Sequence, residues 1–114
     1  MKNTKLKTID IKGKPYVEVN ERLKYFRENY KGFCLESDVI EKTATSVMIK
    51  ATIKDADGNI RATGIAEEIK GTTFINKTSY VENCETSAWG RALANLGIGI
   101  DVSVASADEV ITAI

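Results

Sequence analysis

Histidine is absent from this 114-residue sequence, and cysteine occurs only at Cys34 and Cys84. Without histidine no histidine-ligated metal site can form, and two cysteines far apart in the chain are too few for a zinc site. The sequence also lacks the G-x-S-x-G motif of hydrolases and the G-x-x-x-x-G-K-[ST] loop that cradles phosphates. We therefore expect no metal, no cofactor and no enzymatic activity.

Long apolar runs and net charge are absent as well. No stretch approaches the ~18 apolar residues that span a bilayer, and no signal-peptide pattern opens the chain, so we expect a cytoplasmic protein without membrane contact. Lys plus Arg and Asp plus Glu number 16 each. Because a dedicated duplex-DNA binder usually carries a basic excess, any nucleic-acid role must rest on segregated charge.

Periodic hydrophobicity is present throughout the middle of the chain. An amphipathic stripe predicts a helix over about 21–30, whose opposite face, including Arg22, we expect to be solvated; the stripe is Val19, Leu23, Phe26 and Tyr30. Strand candidates follow at 33–42 and 45–54, and a turn at 55–58 returns the chain into a third strand. A further short strand is expected at 72–75.

These elements predict one α+β domain over 1–114. Its 16–97 core combines the amphipathic helix, a three- to four-stranded antiparallel sheet and a long C-terminal helix packed on that sheet. Residues 1–15 form a lysine-rich arm or edge strand, with Gly13 to Pro15 breaking regular structure. Residues 98–114 form an extended tail and a short helix.

The predicted hairpin sorts its side chains onto two faces. Pairing Ile53 with Ile60 places both on the buried face, together with the small residues that follow in the third strand. The exposed face then collects three basic side chains that could track phosphates, namely Lys50, Lys54 and Arg61.

The segment 79–97 predicts a helix with an unusual polar seam. Ser79 and Glu82 have capping-box spacing, and Gly97 stands where a left-handed residue would end the helix. Small and apolar residues from Val81 to Leu96 occupy one face. The other side carries Tyr80, Asn83, Ser87 and Arg91, with Asn76 and Lys77 immediately upstream. An aromatic side chain beside hydrogen-bonding groups suits single-stranded nucleic acid, because every base offers a stacking face. A seam between subunits, or a plain surface without a partner, is the alternative interpretation.

The helix sequence ETSAWGRALANLG, residues 85–97, resembles the closing helix of the Sak-type single-strand annealing proteins of phages, a group similar to the eukaryotic radiation-sensitivity annealing mediator. The resemblance covers roughly 16–105. It implies a phage protein that coats single-stranded DNA and pairs complementary strands in recombination, repair or replication, without nucleotide hydrolysis. It also implies a homo-oligomeric ring or filament that works with host or phage recombination or replication proteins. Arg91 becomes the central basic residue of the helix.

Two other interpretations remain open. A double-stranded-RNA-binding domain shares the order of helix, three strands and helix, but it needs a lysine cluster at the start of its last helix, where this chain carries Glu82 and Glu85. A phage interaction or anti-defence protein that binds a host factor would need no nucleic acid, and zero net charge suits it.

Overall fold

The computed structural model describes residues 6–71 and 76–100, with the side chains of 76–78 excepted. In chain order the elements are β1 (Ile9–Ile11), β2 (Lys14–Tyr16), α1 (Val19–Asn29), β3 (Cys34–Lys42), β4 (Ser46–Lys54), β5 (Ile60–Ile69) and α2 (Asn76–Leu96). Strands β3, β4 and β5 form an antiparallel sheet in that spatial order, and α2 packs on it. The α+β prediction is confirmed. The expected strand at 72–75 and the tail beyond residue 100 lie outside the described residues.

A short hairpin, β1–β2, precedes α1. Lys12 and Gly13 both have positive φ, 50° and 83°, which matches the tight two-residue turn that favours strand twist. Pro15 lies inside β2 opposite Asp10, so the prediction that this segment breaks regular structure is wrong. Proline is tolerated here because, among the residues that the structure describes, β2 pairs with β1 alone and its other edge bonds no strand.

The core forms where α2 crosses β4 and β5 at close range. Ala51, Ala62 and Ala88 are buried, and Gly64 faces the α2 backbone so closely that an added Cβ would lie 2.7 Å from the Ala88 carbonyl oxygen. Cys84 donates a hydrogen bond from Sγ to the Ala66 carbonyl at 3.2 Å, and burial raises the pKa of its thiol. The predicted small-residue contact between sheet and helix is confirmed.

The long helix ends at the predicted position before Gly97, but it begins at Asn76, three residues before the predicted cap at Ser79. Ser79 interrupts the helical backbone with φ −126° and ψ 31°, which sets one turn, 76–78, ahead of the main helix. At the other end Gly97 has φ 115°, the Ile98 N–H donates to Leu93 O at 3.1 Å, and the Gly97 N–H donates to Ala94 O at 2.9 Å. This pair of bonds is the Schellman arrangement, and Ile98 completes it by burying its side chain.

Helix α1 lies against α2 and buries Phe26. Arg22, which the sequence placed on a solvated face, is 2% exposed and donates a hydrogen bond from Nη1 to the Ile98 carbonyl. That expectation is wrong because the turn after α2 folds back over α1 and supplies a backbone acceptor. Amphipathic periodicity inside α1 cannot reveal an acceptor located more than 70 residues away.

The β4–β5 hairpin differs from its predicted register. The Asp55 N–H bonds the Asn59 carbonyl at 2.9 Å and closes a five-residue loop, and a bulge lets Ile53 face Ala62 while Lys54 faces Ile60. The small residues keep the buried face as predicted. Ile60 does not, and it is 62% exposed.

Candidate nucleic-acid interface

The nine predicted DNA-binding residues do not form one surface. Lys50 and Lys54 lie on the open face of the sheet, and Arg61 lies at the β4–β5 end. Ser87 and Arg91 lie further along α2, beside α1. Asn76, Lys77 and Tyr80 lie at the start of α2, where the side chains of Asn76 and Lys77 are outside the described residues. Each location has different electrostatics, so each is considered separately.

The open face of the sheet brings lysines next to carboxylates. Lys54 Nζ is 3.2 Å from Glu36 Oε1, and Lys50 stands opposite Asp38 in the register. Glu67 follows on the same face of β5, opposite Met48. Negative neighbours reduce the attraction that a lysine exerts on a phosphate. The two lysines remain predicted phosphate contacts, but on a face whose charge is already compensated.

Arg61 is separated from those lysines by the bulge. Its Nη1 lies 3.5 Å from Asp55 Oδ2, and its guanidinium carbon is 6.0 Å from the centre of the Phe33 ring. The bulge leaves Arg61 without a partner in the β4–β5 register. Arg61 is exposed as expected and contacts Asp55 and Phe33, and its grouping with Lys50 and Lys54 stays a prediction.

The polar seam of α2 is partly enclosed within the subunit. Ser87 is 8% exposed, and a Cβ at the neighbouring Gly90 would lie 2.8 Å from Val19 of α1. The amide nitrogen of Asn83 and the Nε of Arg91 are buried and form no hydrogen bond within the described part of the chain, although Arg91 has another interaction. The sequence favours single-stranded nucleic acid or a second subunit as the partner of this seam. Helix α1 instead packs beside its centre.

A further basic residue, Lys42, lies beside Tyr80 and was missed in the sequence. Lys42 Nζ donates a hydrogen bond to Tyr80 Oη at 3.1 Å and lies 5.6 Å from the centre of the ring. Lys42 is exposed and Tyr80 is half-buried. A bulge in β3 between Val39 and Glu41 rotates the end of the strand, so that Lys42 pairs with Val47 and turns to the helix side. No alternation in the sequence signals that rotation.

The turn beside Lys42 is held by its own hydroxyl groups. Thr43 Oγ1 accepts the N–H groups of Thr45 and Ser46 at 3.2 and 3.0 Å, and it lies 2.8 Å from Ser46 Oγ. The Lys70 N–H, just after β5, donates to the Thr45 carbonyl at 2.7 Å. The β3–β4 turn and the end of β5 are thus tied together, and Tyr80 near the start of α2 contacts Lys42. We call Lys42, Thr43, Ser46 and Tyr80 the Lys42 surface.

Lys42 makes no ion pair with any residue that the structure describes, although Glu68 lies two strands away in the same register row. Among the described residues, the Lys42 ammonium contacts neutral acceptors alone, Tyr80 Oη and the Thr43 carbonyl. The turn 76–78 at the start of α2 contains no acidic residue, whereas Glu82 lies in the first turn after the kink at Ser79. A helix N-terminus adds a partial positive charge. This end of the domain can attract an anion.

Comparisons with known proteins identify a family that the chain matches. Neither the curated proteins nor the solved structures gave a match. No group of three or more Cys, Asp or Glu residues suited to a metal ion occurs in residues 6–71 and 76–100, and no helix there is long and apolar enough to cross a membrane. Residues 23–96 match the family model described as Slr1353 N-terminal dsRNA-binding domain-like, which supports nucleic-acid binding in general. As the match spans more than half of its length, the chain belongs to this family.

Proposed function

We propose that this protein binds nucleic acid through the phosphate backbone, without reading base sequence, and that the Lys42 surface makes the main contact. The observation that carries the proposal is the Lys42–Tyr80 pair, which joins an exposed ammonium group to an aromatic ring 5.6 Å away. Phosphate contacts position a nucleic acid without carrying sequence information, whereas an aromatic ring can stack on any base. No described helix carries a row of side chains suited to reading a DNA groove.

Lys42 is a better phosphate ligand than the lysines predicted from the sequence. Lys54 must leave Glu36 before it can bind a phosphate fully, because their charged atoms are 3.2 Å apart. Lys42 loses only hydrogen bonds to neutral acceptors, the Tyr80 hydroxyl and the Thr43 carbonyl. The backbone N–H groups at the start of α2 can add neutral donors to the same phosphate.

The ligand we propose is single-stranded DNA, and the activity is annealing of complementary strands in phage recombination or replication. The resemblance of residues 85–97 to Sak-type annealing proteins supports this, as does the half-buried Tyr80 ring. Assembly into a homo-oligomer is part of the proposal. Strands β3 and β5 each pair only with β4 in the described chain, which leaves both sheet edges open. Exposed apolar side chains lie near these edges: Val39, Ile40, Ile60, Ile65 and Ile69. Long apolar edges are templates for pairing with another chain.

Double-stranded RNA is the second candidate ligand. The family match favours it, whereas Glu82, in the first turn after the kink at Ser79, argues against it as before. The balanced total charge also argues against it, because a duplex presents a denser phosphate array and its binders usually carry a basic excess.

A competition titration separates the candidates. Labelled oligo-dT is bound to the protein and displaced with unlabelled single-stranded DNA, duplex DNA or duplex RNA of equal length. We expect single-stranded DNA of any sequence to compete best, and complementary strands to anneal faster when the protein is present. Stronger competition by duplex RNA would select the second candidate. If no nucleic acid binds, the chain is better explained as a protein-interaction module.

A further inference from the structure

We propose a second contact for the same ligand at the opposite end of the sheet, where Arg61 offers the flat face of its guanidinium to a nucleobase. This inference rests on the proposed function, since it assumes that nucleic acid is bound. The register places Lys42 and Arg61 at opposite ends of the sheet, because Lys42 pairs near the start of β4 and Arg61 lies next to its end. A strand that contacts both would run along the domain.

A cluster of four aromatic rings lies next to Arg61. Tyr30 and Phe33 are half-buried, with ring centres 5.3 Å apart, and both pack on the buried ring of Phe26. Tyr25 adjoins Tyr30 at 6.5 Å. These rings close the junction between α1 and β3, and their outer edges reach the surface. The cluster therefore forms a packed aromatic surface next to the Arg61 side chain.

Arg61 is held in place on two sides. Phe33 lies 6.0 Å below its guanidinium carbon, and Asp55 accepts from Nη1 at 3.5 Å. Asp55 is fixed in turn, because its Oδ1 accepts the N–H groups of Asp57 and Asn59 at 2.9 and 3.0 Å. The Arg61 side chain is nevertheless 52% exposed. One side of the guanidinium is thus ordered by the protein while much of the group remains accessible.

This arrangement suits a base better than a phosphate. The Asp55 carboxylate offsets the charge of Arg61, which weakens its pull on a phosphate. Stacking needs a planar group with an accessible face, and arginine guanidinium planes stack on unpaired bases as aromatic rings do. A lysine at this position would keep the charge and lose the plane. That difference provides the test.

The test compares oligo-dT with an abasic oligonucleotide of equal length, which has the same phosphates and no bases. Affinity for each is measured by anisotropy for wild type, Arg61→Lys and Arg61→Gln, after thermal unfolding has shown that each variant folds. We expect Arg61→Lys to lower the affinity for oligo-dT by about fivefold to 100-fold, the range for one lost stacking contact, with little change for the abasic strand. Arg61→Gln should show the same loss of base preference.

Lys54→Gln is the matched control, because Lys54 is also paired with a carboxylate at the same end of the sheet. It should change both affinities by the same factor. An unchanged ratio of dT to abasic affinity in both Arg61 variants, with wild type binding normally, would overturn the stacking site and leave the proposed function intact. Failure of wild type to bind either strand would overturn both.

Discussion

The two faces of the three-stranded sheet differ in the residues that they carry. The face under α2 is built from small and apolar residues, and the helix backbone rests almost directly on Gly64. The open face carries charges in cross-strand pairs, such as Lys54 with Glu36. On the face under α2, the size of a side chain determines whether it fits. On the open face, the charged partner of a side chain determines how strongly it can attract a ligand. A basic residue on this sheet is therefore informative only once its neighbours are known.

Lys42 and Lys54 illustrate the point. They are the same residue type at the ends of adjacent strands, yet one contacts a phenol and a carbonyl and the other contacts a carboxylate. Lys42 also lies on the helix side, beside the start of α2. The attraction that a lysine on this sheet can exert on a phosphate therefore depends on whether it has an acidic partner.

The largest loss of stability is expected when Gly64, on the sheet face under α2, is replaced by a larger residue. In Gly64→Val, the Cβ would come within 2.7 and 2.8 Å of Ala88 O and Arg91 C, and these are helix backbone atoms that cannot move separately. We expect a loss of about 3 kcal/mol or more in the free energy of unfolding, measured by urea denaturation. Thr63→Val, on the opposite face of the same strand, is the control and should stay within about 0.5 kcal/mol. Equal stability of the two variants would contradict the close contact.

A substitution of Arg22 tests the hydrogen bond between α1 and the turn that follows α2. Arg22→Met keeps much of the buried volume but leaves the Ile98 carbonyl without its charged donor. We expect the free energy of unfolding to fall by about 2 kcal/mol. Lys24→Met, on the exposed side of the same helix, should have little effect. A destabilisation shared equally by both substitutions would show that Arg22 is not a specific link.

A smaller effect is expected at the β4–β5 loop, and it depends on pH. The Asn59 backbone N–H, followed by that of Asp57, holds the pKa of Asp55 below its ordinary value of 3.8. A carboxyl group whose folded-state pKa is depressed stabilises the fold above its unfolded pKa, and this contribution disappears as the pH falls through the folded pKa. Wild type should therefore exceed Asp55→Asn in melting temperature at neutral pH, with the difference shrinking below about pH 3.8. A difference that is constant down to the lowest measurable pH would exclude this role.

Much of the fold could be predicted from periodicity and end signals. The stripe of α1, the alternation of β4, the small residues of β5 and the glycine that ends α2 each act locally or within one hairpin. They correctly indicated a helix, a sheet and a closing helix. The buried position of Arg22 could not be predicted, because its acceptor is a carbonyl at the far end of the chain.

The candidate site was harder to predict because two β-bulges determine it. The bulge in β3 pairs Lys42 with Val47, on the side of the sheet where Tyr80 lies, and the bulge in β5 leaves Arg61 without a register partner near Phe33. An extra residue changes which face every later side chain occupies, and alternation assumes that none is inserted. Tyr80 was predicted at the site, whereas its basic neighbour was not.

The most direct test of the central claim is the salt dependence of oligo-dT binding for Lys42→Gln and Lys54→Gln. Each contact with a single-strand phosphate contributes about 0.7 to the slope of log affinity against log salt. We predict that Lys42→Gln weakens binding and flattens the slope by about 0.7, while Lys54→Gln, whose lysine is already paired with Glu36, changes the slope by much less. The opposite order, or an unchanged slope in Lys42→Gln, would contradict the claim that the Lys42 surface is the principal contact.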